Sequence, residues 1–176
     1  MRRLFFLLTV IMSLAAEPSV KIPDVTLVNQ HGTQVKLYSD LVGKRVVIVN
    51  FVFTTCTTIC PPMGATFGRL EKLLQERGQT GVRLISISVD PEADTPAKLL
   101  AWSQQFHAGP NWTLLTGAKA DIAKALRAFG TYTPDKLSHN SIALIGNGVS
   151  GEWIRASSIG PVERLAELAA SLEPQK

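Results

Sequence analysis

Residues 50–62 read NFVFTTCTTICPP, and they hold both cysteines of the 176-residue chain, Cys56 and Cys60. Upstream, Val46–Phe53 (VVIVNFVF) is apolar and β-branched and hardly alternates. A strand of that kind is expected to be buried on both faces, as in the middle of a parallel sheet. Downstream, Met63, Phe67, Leu70 and Leu74 recur at helical spacing, and Gly78 stops the pattern. The cysteine pair therefore stands at a strand-to-helix corner.

Cysteines at such a corner can be a staple, a redox pair or a metal clamp. A staple is a poor reading, because the loop it would close is very short and cross-links gain with loop length. If the segment is helical, the two side chains share one face about 6 Å apart. That separation lies near the long side of what a disulfide spans. A helix N-terminus favours thiolate over thiol, through its unpaired N–H groups and positive dipole end. Two thiolates on one face can chelate a soft metal or close a reducible disulfide. A third donor would separate the metal reading from the redox one. His139 is the candidate, in LSHNS (137–141), just before a predicted strand at Ser141–Ile145. Soft thiolates select Cu(I), and imidazole suits copper in either oxidation state. His31 and His107 fall in a turn and at a helix end and are expected to be solvated.

The rest of the chain supplies the frame. Val25–Val28 and Gln34–Leu37 flank Asn29-Gln30-His31-Gly32, the pattern of a hairpin. Val82–Val89 predicts a second β-branched strand, and Asp94-Thr95-Pro96 a helix start with proline in the first turn. Trp112–Leu115 reads as a short strand, and Ile122, Ala125, Leu126 and Phe129 as a helix ended by Gly130. Ser141–Ile145 and Glu152–Ile154 predict a hairpin around Gly146-Asn147-Gly148, and Pro161–Leu172 a closing amphipathic helix. Strands alternating with helices argue for an α/β fold. The expectation is a thioredoxin-like fold: a central mixed sheet flanked by helices, with an N-terminal β-hairpin. The cysteines then lie at the carboxyl end of the first central strand, where sites of such sheets gather.

Composition narrows the function classes. The chain is 45% apolar and 18% charged, with a net charge of +4. That charge falls to +2 once Arg2 and Arg3 are set aside as part of the N-terminal segment. The remaining basic residues are scattered among acids, so no nucleic-acid partner is expected. The first residues, MRRLFFLLTVIMSLAA, carry two arginines and then an apolar run ending near Ala16. This is the layout of a secretory signal peptide over residues 1–16. The run is short for a membrane-spanning helix, which needs roughly 20 residues; a retained anchor is the other reading. Residues 17–176 are then expected to form one thioredoxin-like domain, the one to which the resemblance described next assigns copper binding. Export places it in the periplasm, soluble or anchored to the inner membrane, outside the reducing cytosol.

Four segments together resemble the Sco/SenC family: VNFVFTTCTTICPPM (49–63), ISISVDPEADTPAKL (85–99), WTLLTG (112–117) and LSHNSIALI (137–145). The resemblance covers about residues 22–172. It implies a thioredoxin-like copper chaperone for assembly of the copper A centre of cytochrome c oxidase. It also implies Cys56 and Cys60 as thiolate ligands and His139 as the imidazole ligand of Cu(I) or Cu(II). The implied partners are the copper-binding subunit of the oxidase, and another copper chaperone or a thioredoxin-like reductant. Asp90 and Asp94 match the family's acidic strand exit; read from sequence alone, they are a turn residue and a helix cap. The chain departs from the family at Thr57, where proline is frequent, and at Asn140, where serine is common. The competing function is a thiol–disulfide oxidoreductase without a metal, with Cys56 attacking and Cys60 resolving. A peroxidase of the peroxiredoxin kind would place threonine where Phe53 stands.

Overall fold

A computed structural model of the chain describes residues 20–173, so the leader expected over residues 1–16 lies outside the described residues. Seven strands form one mixed sheet: β1 (Thr26–Asn29), β2 (Gln34–Lys36), β3 (Val46–Val52), β4 (Arg83–Ser88), β5 (Trp112–Thr116), β6 (Ile142–Asn147) and β7 (Trp153–Ser157). Their order across the sheet is β2-β1-β5-β4-β3-β6-β7. Among the described residues four α-helices connect or close them: α1 (Cys60–Glu76), α2 (Pro96–Gln105), α3 (Lys119–Ala128) and α4 (Val162–Ser171).

β3 explains its own sequence. It is buried at every position, between β4 in parallel and β6 in antiparallel pairing. Its even-numbered side chains Val46, Ile48 and Val52 pack under α1, α2 and α4, against Met63, Phe67, Leu70, Leu99, Trp102 and Leu165. Its odd-numbered Val47, Val49 and Phe51 meet Ile122 and Leu126 of α3 and Phe129 just after it, with Leu27 of β1. Both faces are buried, even at the polar Asn50, which leaves no position to alternate. The predicted hairpins form as antiparallel pairs, β1 with β2 and β6 with β7. In the first turn, the Asn29 side chain accepts from the N–H groups of His31 and Thr33, at 2.9 and 3.0 Å.

Strand register brings three chain segments to one pole. Val52 of β3 lies beside Ser88 of β4 in parallel register, so both strands exit side by side. Asn50 of β3 lies opposite Ala143 of β6, so the residues entering β6 arrive next to that same exit. Among the described residues, no helix is long and apolar enough to cross a membrane.

α1 is held down at close quarters. A Cβ at Gly68 would run into the carbonyl oxygen of Phe106, where α2 ends, and backbone cannot give way as a flexible side chain can. Gly68→Ala is therefore expected to destabilise the fold by about 1–3 kcal/mol, the usual cost of overpacking. Urea unfolding checks this: the midpoint should fall at unchanged slope, whereas an unchanged midpoint would show that α1 packs less closely than described.

Candidate functional site

The corner after β3 is a turn, and the helix starts late. Thr57, Thr58 and Ile59 are β-branched or nearly so in their helix aversion, and Pro61 and Pro62 suit only a first helical turn. Helix α1 accordingly begins at Cys60, with Ile59 before it making no side-chain cap. Cys56 is thus in the preceding turn, and the two cysteines do not share a helical face. A missing cap costs about 1 kcal/mol. Burying Met63, Phe67 and Leu70 contributes about 1.5–3 kcal/mol each, so packing holds the helix without it.

The uncapped N-terminus is used by a cysteine. Cys56 Sγ accepts from the Cys60 N–H at 3.4 Å and lies 3.7 Å from Thr58 Oγ1. Burial pushes the Cys56 thiol up, but these hydrogen bonds and one from the Cys60 thiol outweigh it and bring its pKa down to about 7. Cys60 moves the other way. It is fully buried, and burial, its hydrogen bond with Cys56, and the charges of Cys56 and Asp94 push it up to about 12. The two thiols are thus driven apart, Cys56 toward thiolate and Cys60 toward the protonated form.

His139 reaches this pair. It is 7% exposed, and its Nε2 lies 3.7 Å from Cys60 Sγ. Its Nδ1 is 3.3 Å from the Asn140 carbonyl oxygen, which can only accept. Nδ1 therefore carries the hydrogen, and the Nε2 lone pair faces the thiol. Burial lowers the His139 pKa, with the Asn140 contact opposing, which favours the neutral ring. Phe53 packs edge-on against the imidazole, with ring centroids 5.4 Å apart. His31 and His107 are exposed, as expected.

Both sides of the cluster are tied to the exit of β4. Asp94 is 1% exposed. Its Oδ1 accepts from Thr54 Oγ1 at 2.6 Å and from the Thr54 N–H at 3.1 Å, and its Oδ2 accepts from Ser88 Oγ at 2.6 Å. It therefore does not cap α2; Thr95 does, accepting from the Lys98 N–H at 3.3 Å. Asp90 accepts from Lys136 Nζ at 2.5 Å, and this hydrogen bond raises the Lys136 pKa. Sequence reading missed Thr54 and Lys136. Neither belongs to a spacing pattern; only the parallel register and the return of the chain before β6 bring them here.

Two sulfurs and a neutral imidazole with its far nitrogen held by a carbonyl fit a soft, thiophilic cation such as Cu(I). Among the described residues, no three His, Cys, Asp or Glu side chains stand as a preformed metal cluster. The three donors meet in pairs through Cys60. Without a metal, the same groups form a split-pKa dithiol suited to disulfide exchange.

Comparison with known proteins bears on both readings. The family model described as SCO1/SenC matches residues 15–146. The chain is 42% identical over 107 residues to the SCO1 protein homolog of Bacillus subtilis, covering 59% of this chain and 54% of that relative. It spans about half the length of the curated relatives it matches. Among solved structures it resembles BsSco, described as a member of the Sco family of cytochrome c oxidase assembly proteins with a disulfide switch. The identity is 29% and the TM-score 0.75, covering 92% of this chain and 98% of that one. It also resembles Bradyrhizobium japonicum ScoI with copper bound, at 25% identity and TM-score 0.68, covering 84% of this chain and 96% of that one.

The asymmetry of the thiols is measurable. In the reduced, metal-free protein, alkylation of Cys56 by iodoacetamide should rise with pH through a midpoint near 7, as thiol becomes thiolate, while Cys60 stays unmodified. Thr58→Val removes a donor to the thiolate and should move the Cys56 midpoint upward. Peptide mass spectrometry that found Cys60 alkylated first would reverse the assignment.

Proposed function

The chain belongs to the SCO1/SenC family, and from that membership we propose that it is a copper metallochaperone serving assembly of the copper A centre of cytochrome c oxidase. Copper is its cargo. The observation that carries the reading is the meeting of Cys60 Sγ with the lone-pair nitrogen of His139 at 3.7 Å, beside Cys56. Cys56 and Cys60 supply thiolates and His139 a neutral imidazole, and these side chains hold Cu(I) or Cu(II). Binding releases the thiol protons, so affinity falls as pH drops. The partner is the copper-binding subunit of the oxidase, whose own thiols receive the ion by ligand exchange. A second copper chaperone is the donor. Residues 1–16 act as a cleaved leader or retained anchor, and residues 17–176 work in the periplasm.

The split thiols favour a second reading, disulfide reduction at the same corner. The Cys56 thiolate attacks one sulfur of a target disulfide, breaking the S–S bond and releasing one target thiolate. Cys60 then loses its proton and attacks Cys56 Sγ. This forms the Cys56–Cys60 disulfide and frees the second target thiolate. Two electrons pass to the target, and a thioredoxin-like reductant restores the dithiol. The oxidase subunit's own cysteines would be such a target, so the two readings can serve one assembly step.

Metal analysis of the reduced mature protein, after competition with a Cu(I) chelator, separates them. The expected result is one copper per chain, with the affinity lowered more than tenfold in Cys56→Ala, Cys60→Ala and His139→Ala. His139→Ala should still reduce a disulfide substrate at near the wild-type rate. Unchanged copper affinity in His139→Ala would overturn the three-donor reading, and no retained copper in the wild type would leave the redox reading alone.

A further inference from the structure

His139 sits in the 133–141 segment before β6, whose own backbone contacts are few. A single short turn, Lys136–Ser138, precedes the histidine. Asp135 caps it: its carboxylate accepts from the Leu137 N–H at 2.9 Å and from Ser138 Oγ at 3.3 Å. The Ser138 N–H bonds the Asp135 carbonyl at 3.1 Å, and the His139 N–H bonds the Lys136 carbonyl at 3.4 Å. All of these bonds are internal to the turn. They shape it without placing it against the cysteines.

Lys136 reaches out of the turn. Its ammonium donates to Asp90, whose side chain is only 13% exposed, and stands 5.5 Å from the centre of the Phe53 ring. Phe53 is the ring against which His139 packs. Asp90 is itself fixed: its N–H bonds Ser88 Oγ at 3.0 Å, and its carbonyl accepts from the N–H groups of Ala93 and Asp94. Asp94 in the same segment holds Thr54, two residues before Cys56. The strand exit from Ser88 to Asp94 is thus a common base, gripping the cysteine turn through Asp94 and the histidine turn through Asp90.

We infer that the Asp90–Lys136 ion pair is a positioning latch that sets His139 against Cys60, and that neither of its members touches the bound ion. The inference rests on the copper-chaperone reading for its consequence, and on the metal-free protein for its direct test. An exposed ion pair would be worth little. This one is partly buried and has a ring beneath the cation, which strengthens the attraction.

The test uses the full mature chain as Lys136→Met, Asp90→Asn, Lys136→Arg and Lys136→Met/His139→Ala. Hydrogen exchange of the metal-free protein is read first. The amides of residues 137–139 should exchange at least fivefold faster in Lys136→Met and Asp90→Asn, and near the wild-type rate in Lys136→Arg. Amides of β3 and β4 should not change. Copper affinity is read second. Lys136→Met should weaken it about five- to tenfold, and should add nothing once His139 is already alanine. Unchanged exchange at 137–139 would overturn the latch whether or not copper binds. So would equal weakening by Lys136→Met with and without the histidine, because Lys136 would then act by another route. Faster exchange in a protein that holds no copper would keep the latch and overturn the chaperone reading instead.

Discussion

The arrangement of the site depends on one buried carboxylate. Asp94 is 1% exposed and accepts from the backbone and hydroxyl of Thr54 and the hydroxyl of Ser88. Burying an acid is costly unless donors surround it, and here they come from two different strand exits. The carboxylate therefore fixes how the chain leaves β3 relative to β4. Cys56 follows Thr54 by two residues, so the direction of the cysteine turn is set before any helix forms. The negative charge also acts outward, raising the Cys60 thiol and helping to keep one proton on the pair.

Around that point, simple rules of strand order do the rest. Parallel pairing of β3 with β4 puts their carboxyl ends together, and antiparallel pairing of β3 with β6 brings a returning chain to the same edge. One edge of a sheet thus receives a turn, an acid-rich exit and a histidine loop from residues distant in sequence. Thiols, imidazole and carboxylates meet from three segments of the chain, the cysteines on one, the two aspartates on another and the histidine on a third.

Much of this could be read in the sequence, and the reasons are physical. The non-alternating VVIVNFV run could only be a strand covered on both faces. Prolines 61 and 62 could only start a helix. The histidine's place before the β6 run followed from the strand alternation. Other features depended on side-chain choices that no period encodes. Asp94 looked like a helix cap because Asp precedes a Thr-Pro helix start, yet Thr95 is better placed to cap and leaves Asp94 free to turn inward. Cys56 and Cys60 looked like helical neighbours, but β-branched residues between them keep the first cysteine in a turn. That difference matters: in the turn, Cys56 Sγ can accept the first free N–H of the helix, which is part of what brings its pKa to about 7. Lys136 looked like one more surface cation until the fold set it beside Asp90.

Metal holding and thiol exchange draw on the same asymmetry. A lowered pKa leaves more of Cys56 as thiolate, the form that both binds a metal and attacks a disulfide, and a neutral imidazole beside the second sulfur gives the metal reading its third donor. The most direct test of that claim is the X-ray absorption spectrum of the reduced mature protein loaded with one equivalent of Cu(I). Two sulfur neighbours and one imidazole nitrogen, with the nitrogen lost in His139→Ala, is the predicted result. An all-sulfur shell that is unchanged by His139→Ala would contradict it.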